Sequence, residues 1–234
     1  MKIRISTAPR TVEAGHEHLA KRVLSPTFTA TVNARPKVIL DFDVECRPLA
    51  WYGGDFVTRQ PTAIAWKFLG NEGEPNVAVI GESDRSSKVL EEEAAMLLAF
   101  KEAFDAADMV TGHYIRGFDL PLLQGSLLRL GLPLLGDKKA QDTKNDLLRF
   151  SGASKSQENL GAMFELEHPK IPMNTTKWAR ANMLLPDGIE ATRERVVGDV
   201  SQHIELREKM LELGALGPCP VWRAATAAMP VYQS

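Results

Sequence analysis

From residue 38 to 45 apolar and polar positions alternate. Val38, Leu40, Phe42 and Val44 fall on one face of an extended segment, and Ile39, Asp41, Asp43 and Glu45 on the other. The segment predicts a strand with one face in the core and one face collecting carboxylates. "TAIAWKFLG" (62–70) and "NVAVIG" (76–81) read as two further strands, and the turn residues "NEGEP" between them suggest an antiparallel meander. The period then changes. In "SDRSSKVLEEEAAMLLAFKEAFDAAD" Leu90, Ala94, Leu97, Leu98 and Phe104 recur at helical spacing behind a Ser- and Asp-rich start. A strand is expected at 108–113. After it comes a helix from near Asp119, with Pro121 in its first turn, Leu120, Leu123, Leu127 and Leu130 at helical spacing, and Gly131 as its stop. A strand or turn around "KKAQDTKNDLLRF", a short helix near "SQENLGAMF" and a long helix over about 188–213 complete the pattern. The order βββαβαβαα predicts an α/β fold: a mixed sheet with helices on both faces.

Burying even one unpaired carboxylate costs several kcal/mol, so the acids of the first strand need a reason. An edge strand with a solvated acidic face is one. Two other stretches bear on the choice. In "GHYIRGFDLPLL" (112–123) Asp119 falls at the expected N-cap of a helix, where free N–H groups favour a carboxylate whatever else it does. In "RERVVGDVSQHIELREKM" (193–210) Asp199 lies within an amphipathic helix whose apolar stripe includes Val196, Val200 and Ile204. Its i−4 and i+4 neighbours are Arg195 and His203, an ionic cluster that surface salt-bridging would also explain.

Composition narrows the function classes. At 234 residues, 44% hydrophobic and 25% charged, the chain fits one globular domain, expected over 37–214. Residues 1–36 read as an extended arm or lead-in, and 215–234 as a C-terminal tail. No run of 18 apolar residues occurs and the N-terminal stretch lacks a signal-like apolar segment, so a cytoplasmic protein with no membrane partner is expected. Cys46 and Cys219 support neither a disulfide framework nor a zinc site. A net charge of −2 argues against coating nucleic acid by bulk electrostatics. Such a partner would have to be gripped locally, through metal.

Together the three acidic stretches resemble the DEDD (DnaQ-like) 3′→5′ exonuclease superfamily, the proofreading group within the ribonuclease H-like fold. "DFDVE" resembles its first motif, Asp-x-Glu, and maps onto Asp43 and Glu45. "GHYIRGFD" resembles the second and gives Asp119, and "RVVGDV" resembles the third and gives Asp199. "QENLGAMFELEHPK" resembles the segment between the second and third. The resemblance covers 38 to about 210 and implies a ribonuclease H-like sheet in which Asp43, Glu45, Asp119 and Asp199 ligate two Mg²⁺ or Mn²⁺ ions. Two such ions activate a water and stabilise a leaving 3′ oxygen. Asp41 shares their strand face but has no place in the motif, and is expected to tune the site.

The implied activity is metal-dependent exonucleolytic hydrolysis, on single-stranded DNA ends in preference to RNA, by a stand-alone enzyme or one acting with a polymerase or replication protein in trans. An RNA exonuclease, or a nucleic-acid-binding or interaction module that kept the scaffold, are the alternatives. The chain departs from the family pattern at two places. Where a Tyr or His helper stands four or five residues before the last Asp, it has Arg195 and Glu194, so His203 becomes the candidate general base, with an ordinary helix-surface histidine as the alternative. Tyr114 replaces the Asn of the second motif, where it would stack on a terminal base or pack into the core.

Overall fold

The computed structural model describes residues 38–50, 57–83 and 88–224; the expected arm, 1–36, and the end of the tail lie outside the described residues. The elements are β1 (Ile39–Ala50), β2 (Val57–Phe68), β3 (Asn76–Val79), α1 (Val89–Ala106), β4 (Met109–Gly112), α2 (Asp119–Arg129), β5 (Lys138–Asp142), α3 (Thr143–Leu147), α4 (Gln157–Met163), α5 (Thr175–Asn182), α6 (Pro186–Glu212) and β6 (Val221–Trp222). They build one six-stranded sheet in the order β3-β2-β1-β4-β5-β6. β1 pairs antiparallel with β2 and parallel with β4, β4 parallel with β5, and β5 antiparallel with β6. This mixed sheet with helices on both faces is the ribonuclease H-like arrangement that the motifs implied. Among the described residues no helix is long and apolar enough to cross a membrane.

The alternation read in β1 decides what covers each face. Leu40, Phe42 and Val44 are buried with Ile64 of β2, Phe100 and Phe104 of α1, and Leu120, Leu123 and Leu127 of α2. On the opposite face Ala63 and Ala65 of β2 offer only methyl groups, and α6 packs there through Ile189, Val196 and Val200. α6 thus crosses the acidic face of β1, the condition for Asp199 to meet it. Pro186 starts the helix at a position where a missing N–H costs nothing. Gly131 stops α2 with φ +65°, as expected.

Four expectations shift. β2 runs back through Pro61 to Val57, because the register with β1 slips between Glu45 and Cys46: Glu45 pairs with Ala63 and Cys46 with Pro61, leaving Thr62 as the extra residue of a bulge. A bulge tolerates proline within a strand. In α1, Leu97 and Phe104 face the core, but Leu90 and Leu98 are 55% and 43% exposed. The helix is turned to bring in Met96 and Phe100, with Phe100 4.9 Å from the Phe42 ring, and to bury Glu93 against Arg129 and Gln60. α5, a short helix of eight residues with Trp178, Ala179 and Ala181 as its apolar positions, was not expected. The tail contributes β6, which pairs with Lys138 and Lys139 at the far edge of the sheet.

Candidate metal centre

β1 delivers Asp43 and Glu45, two residues apart, onto the α6 side of the sheet, and α6 brings Asp199 to them. One carboxylate oxygen from each can be chosen so that all lie within 4.8 Å of one another. Asp119 enters from the first turn of α2. Phe118, one residue earlier than expected, occupies the cap position, so Asp119 is the first helical residue. Its carboxylate accepts hydrogen bonds from its own N–H and from the N–H of Val44, which fixes it against β1 between Asp43 and Glu45. The structure therefore brings three of the four acids that the motifs single out within reach of one ion, Asp43, Glu45 and Asp199, and sets Asp119 against the same strand outside that group.

Their electrostatics record the crowding. Burial, then the charges of Asp199, Asp119 and Glu45, push the Asp43 carboxyl well above its ordinary range. Glu45 rises to about 7 through burial and Asp199, against the opposing pull of Arg195 and Lys170. Asp119 rises to about 8, chiefly through burial. Asp199 is also raised by burial, although Lys170 Nζ stands 3.3 Å and Arg195 Nε 2.9 Å from its Oδ2. Its other oxygen, Oδ1, is buried and has no hydrogen-bond partner. Oxygen donors of this kind, mutually repelling and with one lone-pair face unused, fit a hard divalent cation such as Mg²⁺ or Mn²⁺.

The loop carrying the second motif is held by Asp142, which was not singled out from the sequence. This buried carboxylate ends β5, caps α3, and accepts from the N–H groups of Tyr114, Arg116 and Asn145 at 3.0, 3.0 and 3.2 Å. A strand that runs straight into a helix through "QDTKN" was the available signal. Gly112, at the end of β4, has no room for a side chain: a Cβ there would lie 2.3 Å from Ile115 Cγ2 and 2.8 Å from the carbonyl oxygen of Phe42. The motif loop thereby closes onto β1 one residue before Asp43. Tyr114 adopts φ +74°, a conformation Asn accepts more readily than Tyr. Its ring is 41% exposed, with Lys144 Nζ 3.8 Å from the centroid, so it does not pack into the core.

His203 is placed differently from the expectation of a water-activating base. It projects from α6 one turn after Asp199 but is only 2% exposed, and both ring nitrogens are engaged. Nδ1 lies 2.6 Å from Asp41 Oδ2 and Nε2 3.0 Å from Thr143 Oγ1. The Thr143 hydroxyl also meets His113 Nδ1 at 2.9 Å, and His113 Nε2 faces the carbonyl of Lys155. A carbonyl only accepts, so His113 carries its proton on Nε2 and its Nδ1 takes the Thr143 hydroxyl proton. Burial holds His113 neutral, its pKa lowered to about 4. The Thr143 oxygen then accepts from His203 Nε2–H, which leaves no free lone pair on His203 to take a proton from water. His203 is instead the partner that lets Asp41 be buried.

Next to the acids, a cavity of about 740 Å³ is lined by Cys46, Arg47, Arg59, Gly117, Phe118 and Pro121, among others. The Arg59 guanidinium stacks 5.0 Å above the Phe118 ring. The cavity adjoins Glu45 and Asp119 through their chain neighbours Cys46 and Phe118. No family model matches the chain, and no curated protein matches it. Among solved structures it is similar to a family B DNA polymerase from the hyperthermophilic archaeon Pyrobaculum calidifontis, with 19% identity over 76% of this chain and a TM-score of 0.53. The chain spans about a quarter of that polymerase's length, 25%. At this identity the likeness speaks for the fold.

Proposed function

We propose that the chain is a metal-dependent 3′→5′ exonuclease that removes nucleotides from single-stranded DNA ends. The observation that carries the reading is the convergence of Asp43, Glu45 and Asp199, with Asp119 against the same strand and an unpartnered Asp199 oxygen among them. A binder of phosphates gains nothing from such a cluster, which repels them. Asp43, Glu45 and Asp199, with Asp119 beside them, would hold the divalent metal, which would supply charge neutralisation, a nucleophilic water near neutral pH and stabilisation of the leaving oxygen. The rest falls to the protein. Arg47 and Arg59 provide positive charge for the phosphates of the strand entering the cavity, and Phe118 offers a face for a terminal base. Asp142 and Gly112 keep the loop bearing Asp119 seated on β1. Lys170, 3.3 Å from Asp199 Oδ2, offsets part of the negative charge that an approaching phosphate meets.

Arg195 favours a second reading. It occupies the helper position and bonds two of the acids, as a retired site used only for binding would allow. One assay separates the readings. A 5′-labelled single strand of DNA, and one of RNA, are incubated with Mn²⁺ and with chelator. Stepwise shortening from the 3′ end of the DNA that stops with chelator is expected. Retention of the intact strand in complex with the protein, without shortening, would favour the binding module.

A further inference from the structure

We propose that Arg195 is a built-in counter-cation that fills one cation position of the acidic cluster, so that the free chain takes up one divalent ion where four carboxylates would otherwise hold two. This rests on the metal-dependent reading above. Arg195 stands one turn before Asp199 on α6, and its Nε lies 2.9 Å from Asp199 Oδ2 and 3.4 Å from Glu45 Oε1. Its Nη1 donates to the carbonyl of Ile171, so the guanidinium is held from two sides. Only 13% of the side chain is exposed. A planar, permanently charged group fixed between a strand carboxylate and a helix carboxylate takes the space in which those two would share an ion.

Charge points the same way: Arg195 and Lys170 already set two positive charges against the cluster, Arg195 against Glu45 and Asp199 and Lys170 against Asp199. The donors left open agree. Asp199 Oδ1 is buried and unpartnered, while Oδ2 is taken by both cations. Asp43 has no ion pair among the described residues and feels three neighbouring carboxylates. The remaining ion position therefore centres on Asp43 and the free oxygen of Asp199, with Arg195 acting as the second positive charge beside it.

The test is titration of the full chain with Mn²⁺ alone, in the absence of nucleic acid, with free Mn²⁺ followed by electron paramagnetic resonance. Wild type is expected to bind one ion per chain. Arg195→Gln is expected to bind a second, or to hold the first at least about tenfold more tightly, because a positive charge has left the cluster. Arg193→Gln, which removes a half-buried cation two residues away that pairs with Glu82 and Glu190, should leave Mn²⁺ uptake as in wild type. Two equivalent ions in wild type overturn the assignment whether or not the variant folds. So does an Arg195→Gln protein that binds like wild type, or an Arg193→Gln effect of equal size. Absence of Mn²⁺ from both wild type and Arg195→Gln would overturn the metal-dependent reading itself, and this inference with it.

Discussion

Asp41 and Asp43 stand two residues apart on the same face of β1, both covered by α6, and they meet opposite fates. Asp41 is partnered through Oδ2, which His203 bonds at 2.6 Å with Thr143 and His113 continuing the chain of hydrogen bonds behind it, while its Oδ1 is left without a partner. Asp43 faces three other carboxylates, with Lys170 as the opposing cation. The first arrangement is a buried hydrogen-bonded pair, in which helix and strand each bring one partner. The second crowds like charges, a repulsion that retained protons relieve in the metal-free fold and that a bound cation would relieve instead. Two residues of strand separate a structural acid from a candidate metal ligand.

Removing the candidate ligand should break this contrast most strongly. Asp43→Ala is expected to lower nuclease turnover on the order of 10³-fold or more, since several kcal/mol of transition-state stabilisation would go with it. In metal-free buffer its melting temperature should hold or rise, because a repelling charge has been removed. Steady-state assays and thermal melts with chelator check both halves, and a variant that keeps its activity would remove Asp43 from the site. The structural acid should behave in reverse. His203→Ala leaves Asp41 buried without its partner and is expected to destabilise the fold by about 3–5 kcal/mol. Turnover per folded molecule at low temperature should change far less than in Asp43→Ala. Denaturant titration beside the activity assay measures the two separately, and a large loss of turnover without loss of stability would return His203 to catalysis.

Smaller effects sharpen the boundary. Phe118→Ala removes the aromatic face of the cavity and should weaken single-strand affinity by about 1–3 kcal/mol, measured by fluorescence anisotropy in Ca²⁺ or chelator so that no cleavage intervenes. Stability against pH reads the same crowding without any substrate. Glu45 moves from its ordinary 4.5 to about 7 and Asp119 from 3.8 to about 8 in the fold. The folded chain thus holds protons that the unfolded chain has released. This contribution is complete below about pH 4 and is lost as pH rises through 7 to 8. Metal-free protein should therefore melt at a lower temperature at pH 8 than at pH 6 once other groups are matched by an Asp119→Asn control. Added Mn²⁺ should reverse the slope, since ion binding releases those protons.

Local patterns carried much of this architecture. Alternation along 38–45 located β1 and its buried face, and the leucine spacing after Asp119 located α2, because each rests on neighbours a few residues away. The four acids were legible through the order of three motifs. What escaped depends on distance or on a partner. Asp41 and His203 are 162 residues apart, and nothing in either segment reports that a strand acid and a helix histidine will meet. Arg195 was visible as a neighbour of Asp199, four residues along a helix, but its reach to Glu45 needed the packing of α6 on β1. α1 was read with its stripe rotated because Glu93 counts as polar in a pattern, whereas Arg129 and Gln60 make it a core residue.

Gly112 has no chemistry of its own and yet sets a dimension. With the Phe42 carbonyl 2.8 Å from where its Cβ would be, even a methyl group must wedge β4 away from β1, and the loop that carries Asp119 would move with it. A survey of substitutions scored by activity would rank position 112 beside the acids themselves, although it has no side chain with which to hold an ion or a phosphate. The spacing of this site is thus set by an atom the residue lacks, and the way to detune the centre without altering a single ligand is to add one carbon to its neighbour.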